Sequence, residues 1–382
     1  MGNQYKIAEY FQNVECKKEH NGYKCNVGRT LLIVILGSIC GLRNVSMIHE
    51  WASNPIVTGF LWEYFEVYKV PCHSWFRKLL KMVVPKSLNK CFVEWVKTIM
   101  PESMKDMTVS FDGKAIRSTW KNKNCEETLQ IVNAHLSEWG LTIGQKAVDA
   151  KSNEIPAMRD LIDLLEIKGC TVVADALNCQ RKTAKAIIDA GADYVLNVKN
   201  NQEELRNDVE KHIQANKLNE NMDISSTEEV NRGRNEIRIA YSTNDLTGIK
   251  NSAVWCSLTV IGAINRLVYN KNGEIVSDEW HYYISSKDLR AEELLKYARN
   301  EWSVETMHWL LDVHFGEDFC RIEDIDVQKN LNVIRKIALN IINNYKSNSN
   351  SKKAVSKIML NCLIDSDYML DVLNVAQLQA GK

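Results

Sequence analysis

Apolar side chains recur every three or four positions through residues 31–51 and again through 75–100, interrupted by Pro71 and Pro85. That spacing lines one face of a helix, so residues 1–105 read as a helical domain. The pattern changes at residue 107. Residues 107–112 are rich in β-forming side chains, and 130–135 and 141–147 follow as two further strands, with a turn at Glu138-Trp139-Gly140. Residues 155–167 predict an amphipathic helix with Pro156 in its first turn, and 171–174 a short buried strand ending on Asp175. A helix over 179–190, stopped by Gly191, and a fifth strand over 193–198 complete the series.

Three strands, helix, strand, helix, strand is the order of a hairpin meander followed by right-handed crossovers, which gives a mixed sheet with helices on its faces. It fits an α/β core of the ribonuclease H-like nuclease type over residues 106–204, with one aspartate ending the first strand and another ending the fourth. A β-rich insertion is expected over 205–288. It holds a helix at 204–217, strands at 237–242, 253–261, 266–269 and 280–284, and a hairpin turn at Asn272-Gly273. Residues 289–382 return to helix, from Ala291 past Leu311, over 330–345, and in a short terminal helix after a polar stretch at 346–353.

With 382 residues, 45% of them hydrophobic, the chain can bury a sizeable core in two or three domains. The eleven cysteines form no Cys-x-x-Cys pair and fall in apolar segments, as reduced core thiols do. Cys16, His20 and Cys25 lack a fourth ligand nearby, which argues against zinc. The most apolar run, residues 31–42, is too short for a membrane span and lies too far in for a signal peptide. A cytoplasmic protein is expected.

Lys and Arg number 48, as do Asp and Glu, so the formal charge is zero and any phosphate contacts must come from local patches. The charge is segregated. Residues 75–105 carry seven bases against two acids, 301–326 eight acids against one base, and 335–357 six bases and no acid. Acids beside bases suit a metal site flanked by phosphate-binding surfaces; a solvated acidic helix and a loose basic tail give the same counts.

Phosphoryl transfer between DNA strands uses two divalent cations about 4 Å apart, and hard cations take carboxylate oxygens. Asp112 and Asp175 stand at strand ends that neighbour one another in the expected sheet. The third acid belongs on the helix after the fifth strand. There Glu301 and Glu305 are four apart and share a face, so spacing alone does not choose between them. Taken singly, an aspartate after a strand is more often a turn or cap residue.

Three stretches carry a more specific signal. The first is Phe111-Asp112-Gly113-Lys114-Ala115-Ile116-Arg117. The second runs from Lys151-Ser152-Asn153-Glu154-Ile155-Pro156 through Ala174-Asp175-Ala176-Leu177-Asn178-Cys179-Gln180 to Ala192-Asp193-Tyr194 and Lys199-Asn200-Asn201-Gln202. The third opens Trp302-Ser303-Val304-Glu305 and closes on Phe315-Gly316-Glu317-Asp318. Together, and in this order, they resemble the H-repeat-associated transposases of bacterial insertion sequences, a branch of the DDE transposases.

The resemblance implies a transposase that cleaves DNA at transposon ends and joins it to target DNA. Asp112, Asp175 and Glu305 would be catalytic and hold two Mg²⁺ or Mn²⁺ ions. The partner would be double-stranded DNA, bound by a homodimer, with the helical N-terminal domain a candidate for binding the transposon end. Lys114 and Arg117, close behind Asp112, are expected at the scissile strand. Arg234 and Arg238 belong to a Gly-Arg-x-Glu-x-Arg element of the insertion and are expected to bind DNA. His308, one helical turn past Glu305, together with Asn178 and Gln180, is expected to support the ligands, whereas Trp302 and Trp309, seven apart, are expected in the core. The chain departs from the family pattern at Ser118 (Gly in the family), Arg232 (His), Glu301 (His) and Thr306 (Asn). None removes a ligand, but Glu301 adds a carboxyl beside Glu305. A catalytically inactive DNA-binding derivative, or a nuclease of the same fold without strand transfer, stands as the alternative.

Overall fold

A computed structural model describes residues 7–17, 26–117, 128–148, 152–231 and 234–375. Its strands are β1 (Thr108–Ala115), β2 (Gln130–Leu136), β3 (Leu141–Ala147), β4 (Thr171–Ala174), β5 (Asp193–Val198), β6 (Asp223–Asn231), β7 (Arg234–Thr243), β8 (Val260–Tyr269) and β9 (Ile275–Ser285). They form one mixed sheet in the order β3-β2-β1-β4-β5-β9-β8-β7-β6. Only β1–β4 and β4–β5 pair in parallel; every other ladder is antiparallel. The expected α/β class is thus present, and the strands expected as an insertion continue the sheet by pairing β9 with β5.

Two strand expectations change. The strand placed at 253–261 is a single 3-10 turn, Ser252–Val254, and β8 begins only at Val260, because Ser257 adopts a left-handed φ of 57° that no strand continues through. Residues 223–231, where no strand is expected, form β6, whose partner β7 supplies the ladder. The hairpin at Asn272-Gly273 joins β8 and β9, with Gly273 at φ 80°.

Helices α1 (Ile7–Tyr10), α2 (Val27–Ile39), α3 (Val45–Ala52), α4 (Pro55–Phe65), α5 (His73–Met82) and α6 (Pro85–Lys97) precede the sheet. Asn26, Asn44 and Asn54 cap α2, α3 and α4 by accepting from backbone N–H groups of the first turn. Residues 31–36 of α2 are wholly buried, since this helix is apolar on every side and is covered on every side. Gly37 allows that: a Cβ there would lie 2.8 Å from the Ile48 side chain, so α3 closes directly onto α2.

One face of the sheet carries α7 (Glu154–Ile162), α8 (Arg181–Asp189) and α9 (Glu203–Asn216); the other carries α10 (Ala291–Glu301), α11 (Ser303–Val313) and α12 (Ile325–Ser349). The long α12 packs against α2, α5, α6 and β3 and joins the N-terminal helices to the sheet in one core. Helices α13 (Val355–Ile364) and α14 (Ser366–Val375) close the described chain. Among the described residues no helix is long and apolar enough to cross a membrane.

Candidate active site

Parallel pairing sets Phe111 of β1 beside Ala174 of β4, so the residues that follow, Asp112 and Asp175, are neighbours. Ala174 also faces Leu196, which brings Asn197 into the same row, and Asn197 pairs with Tyr283. On the other side Asp112 pairs with Asn133, and Asn133 with Gln145. Side chains alternate across a sheet, so these residues form one row on the face that carries α10, α11 and α12. Asp112 lies inside β1, three residues before its end, but one residue past the parallel ladder.

Each aspartate is held in place. Asp175 caps a 3-10 turn, Ala176–Asn178, and its Oδ1 accepts from Asn178 Nδ2 at 3.0 Å. Asn201 Nδ2 and Gln202 Nε2 donate to the carbonyls of Ala176 and Cys179 at 2.5 and 3.1 Å, pinning the loop that presents Asp175. The Asn-Asn-Gln segment after β5 therefore has a structural task at the site. Asp112 Oδ2 stands 3.4 Å from His308 Nδ1. Behind it, a Cβ on Gly113 would lie 2.1 Å from the Glu154 carboxyl carbon. Glycine after Asp112 thus lets Glu154, at the start of α7, reach in from the opposite face. Burial raises the Glu154 carboxyl above its ordinary range, and Asp112 and Asp175 raise it further.

Across the row, the helix expected to run unbroken from Ala291 past Leu311 divides at Trp302 into α10 and α11. Glu301 ends the first and Glu305 lies in the first turn of the second. Both line a cleft of about 620 Å³ with Asp112 and Asp175; Lys199, Arg238, Arg266, Lys296 and Arg299 are also on its walls. Glu305 is exposed to solvent. Glu301 is deeper, and burial pushes its carboxyl up to about 8, with Asp175, Asp112 and Glu305 acting in the same direction against Lys199. The departure that seemed to add a charge beside Glu305 is thus mostly protonated at neutral pH.

Beneath the cleft lies a connected polar layer. His308 Nε2 is 2.9 Å from Asn133 Nδ2. Lys336, 1% exposed, directs its ammonium at Asn133 Oδ1 (2.5 Å), Gln145 Oε1 (2.5 Å) and Asn332 Oδ1 (2.7 Å). Asn332 Nδ2 donates to Glu317 Oε1 at 2.7 Å, and Glu317 Oε2 accepts from Lys114 Nζ at 2.8 Å. Burial opposes the Glu317 charge, but Lys114, Lys336 and Arg335 outweigh it and hold the carboxyl below its usual range. Burial draws Lys336 down to about 7, with Glu317 opposing.

The remaining expected residues are spread around this centre. The Lys114 ammonium lies between Asp312 (2.5 Å) and Glu317 with only 11% of its side chain exposed, an arrangement that argues against its meeting DNA phosphate. The Arg117 side chain is exposed, with its backbone N–H on Asp318. Arg234 is exposed at the start of β7, and Arg238 pairs with Glu236 and Glu229 and lies 5.9 Å over the Trp302 ring. Gln180 bonds Leu177 and Gln202, not Asp175. Thr306 is exposed on α11. Trp302 and Trp309, expected in the core, are 51% and 56% exposed; the face that α11 buries is that of Val304, Met307 and Leu311. Arg335 and Lys336, counted with a phosphate-binding run, are buried at 4% and 1% because α12 is covered on all sides. Ser118, Arg232, His20 and Cys25 lie outside the described residues. Sequence reasoning did not single out Glu154, Asn133 or Lys336. Asn133 and Lys336 leave a trace, a polar residue in the middle of an apolar strand or helix, whereas Glu154, first in its helix, leaves none.

Carboxylates on adjacent strands of an α/β sheet, in a cleft with basic walls, are what a metal-dependent enzyme of phosphoryl transfer requires. Residues 104–341 match the family model described as transposase DDE domain, and residues 8–96 match a model described as DDE_Tnp_1-associated. The chain belongs to the DDE transposase family, whose activity is DNA cleavage and strand transfer. It is 30% identical over 356 residues to the "H repeat-associated putative transposase YhhI" of Escherichia coli K12, covering 90% of this chain and 91% of that protein. It is 31% identical over 310 residues to the "Putative transposase YncI" of Escherichia coli O157:H7, covering 78% and 77%. A piggyBac transposase synaptic complex with hairpin DNA aligns at 13% identity and a TM-score of 0.42, covering 95% of this chain and 80% of that one.

Proposed function

We propose that this chain is the transposase of an insertion sequence, cutting DNA at the element's ends and joining it to target DNA from a ribonuclease H-like core. The observation that carries the reading is the placement of Asp112 and Asp175 side by side on adjacent parallel strands, in one cleft with Glu305. The donor set fits a hard divalent cation: every candidate ligand is a carboxylate oxygen. The Glu301 carboxyl beside them is raised by burial first and by Asp175, Asp112 and Glu305 after it, with Lys199 opposing, so it stands among acids without adding a full charge of its own. Among the described residues no group of three or more His, Cys, Asp or Glu side chains is arranged to hold an ion; Glu305, on the helix side of the cleft, would be the third ligand. Asp112, Asp175 and Glu305 would hold two Mg²⁺ or Mn²⁺ ions, which when bound activate the attacking oxygen and stabilise the leaving one.

The chain's own residues do the rest. Asn178 and the 201–202 amides fix Asp175, and His308 faces Asp112. Arg117, Arg234 and Arg238 with the cleft bases would track the DNA backbone, and a homodimer would hold two ends at once. The test is cleavage of DNA bearing the element's terminal repeats. Asp112→Asn and Asp175→Asn each abolish Mg²⁺-dependent cutting while leaving DNA affinity within about threefold, since phosphate contacts carry the affinity. Either variant cutting at the wild-type rate overturns the assignment.

A further inference from the structure

An amide side chain has two ends of nearly the same shape but opposite hydrogen-bonding sense. Which end faces which neighbour is decided by a partner whose own sense is fixed. Lys336 is such a partner. Its nitrogen donates to three amide oxygens, those of Asn133, Gln145 and Asn332, which uses all three hydrogens of the ammonium, the form these oxygens favour against the burial that draws it down. Each amide must then turn its NH₂ end outward. Asn332 does so toward the Glu317 carboxylate, which can only accept. Asn133 does so toward His308 Nε2, with the Ile131 carbonyl as a second acceptor at 3.3 Å.

The consequence falls on the imidazole. A ring nitrogen that accepts from Asn133 carries no hydrogen, so the hydrogen of neutral His308 sits on Nδ1, the atom facing Asp112 Oδ2 at 3.4 Å. We propose that Lys336, through Asn133, sets the tautomer of His308 so that an Nδ1–H is held toward Asp112. Lys336 and Asn133 are positioning residues: neither reaches the cleft, and both act through His308. This rests on the reading of Asp112 as a metal ligand. A carboxylate oxygen faced at 3.4 Å by the N–H of a fixed ring is oriented by it, which leaves the other lone pairs for the cleft. The row geometry makes the chain of contacts possible, because Gln145, Asn133 and Asp112 stand at one level on three neighbouring strands.

The experiment uses the full-length chain without divalent cations, labelled with ¹⁵N-histidine. Long-range ¹H–¹⁵N correlations report which ring nitrogen bears hydrogen, and His308→Gln identifies the His308 signals by their loss. The wild type shows His308 protonated at Nδ1 and bare at Nε2. Asn133→Asp is nearly isosteric and keeps an oxygen for Lys336, but it replaces the donor facing His308 with an acceptor, so Nε2 gains a hydrogen. Gln145→Leu disturbs the same buried row without touching that sense, and leaves Nδ1–H in place. Lys336→Met frees Asn133 to turn and gives both tautomers; should it not fold, the Asn133→Asp and Gln145→Leu pair still decides.

With Mg²⁺ added, Asn133→Asp lowers DNA cleavage about 10–100-fold, the range for residues that orient a ligand, and Gln145→Leu lowers it less than threefold. A wild-type His308 protonated at Nε2, or one left unchanged by Asn133→Asp, overturns the proposal. These spectra do not depend on cutting, so they stand or fall apart from the transposase reading, which Asp112→Asn tests by itself.

Discussion

Glu301 is the acid on which the structure places the largest demand, and replacing it with glutamine makes that demand measurable. Its carboxyl sits at about 8 against an ordinary 4.5. A raised acid holds its proton in the folded state after the unfolded chain has lost it. Stability is therefore undiminished below about pH 4.5, falls by roughly 1.4 kcal/mol per pH unit between there and pH 8, and is level above. The full interval sets an upper bound of roughly 5 kcal/mol; because the residue is only partly shielded from solvent, about 2–3 kcal/mol is the working figure. Glutamine keeps the shape and removes the titration. At about 2.1 cal/mol/K per residue over 382 residues, a gain of that size raises the melting midpoint by about 2–4 °C at pH 8. Near pH 5 it changes the midpoint by less than one degree. Thermal melts of both proteins in EDTA from pH 5 to 8.5 read the difference directly. Parallel curves, offset by the same amount at every pH, would refute the reasoning, because the cost of Glu301 would then not be its charge.

Three further outcomes follow from the same geometry. Glu305→Gln abolishes Mg²⁺-dependent cleavage as completely as loss of either aspartate, while Glu301→Gln retains it; the reverse result in a single-turnover cleavage assay would give the ligand role to Glu301. Gly113→Ala drives a methyl group into the Glu154 carboxyl, costing about 1–3 kcal/mol in urea denaturation; Glu154→Ala in the same chain recovers most of that, and no recovery would mean the strain lies in β1 itself. Lys114→Met strips the cation from fully buried Glu317 and lowers stability by about 3–5 kcal/mol without changing the salt dependence of DNA binding. A drop of about one unit in the log–log salt slope would instead mean that Lys114 meets phosphate.

Much of the fold could be read from periodicity alone, because most elements bury one face and leave the other in water. The strands at 107–112, 130–135 and 141–147 and the helices flanking Asp175 follow from such patterns, and their order led to a mixed sheet before any pairing was known. What did not show was β6. Its sequence, Asp223–Asn231, is polar along most of its length, and it is a strand only because β7 offers a ladder of backbone partners at the sheet edge. The break at Trp302 was equally hidden: its neighbours have helical spacing on both sides, and Trp302 itself keeps a right-handed helical φ and ψ. Whether two such helices run straight or turn is set by what they pack on.

The site divides along the same line, and the division explains why charge counting misled at the C-terminal helices. Asp112 and Asp175 were legible because strand ends on parallel neighbours must lie together, whatever surrounds them. The role of a base depends on depth, which sequence does not carry. Seven residues of sequence hold Asp312, Glu317 and Asp318, and a solvated acidic surface would look the same. In the structure Glu317 is fully buried and bound by Lys114 and Asn332, so this acid is an internal counter-ion for Lys114, Lys336 and Arg335. Bases that had been assigned to DNA are thereby committed to the layer beneath the cleft. The cleft walls carry positive charge of their own, where Lys199 and Lys296 stand beside arginines already shared with Glu229 and Glu236. Those shared arginines are the ones whose partners an incoming phosphate has to replace. Affinity for DNA at this cleft should therefore respond more steeply to Lys199→Ala than to Arg266→Ala, because only the lysine contributes its charge without first giving up an ion pair, and equal losses in a binding isotherm would show that the pairs open freely.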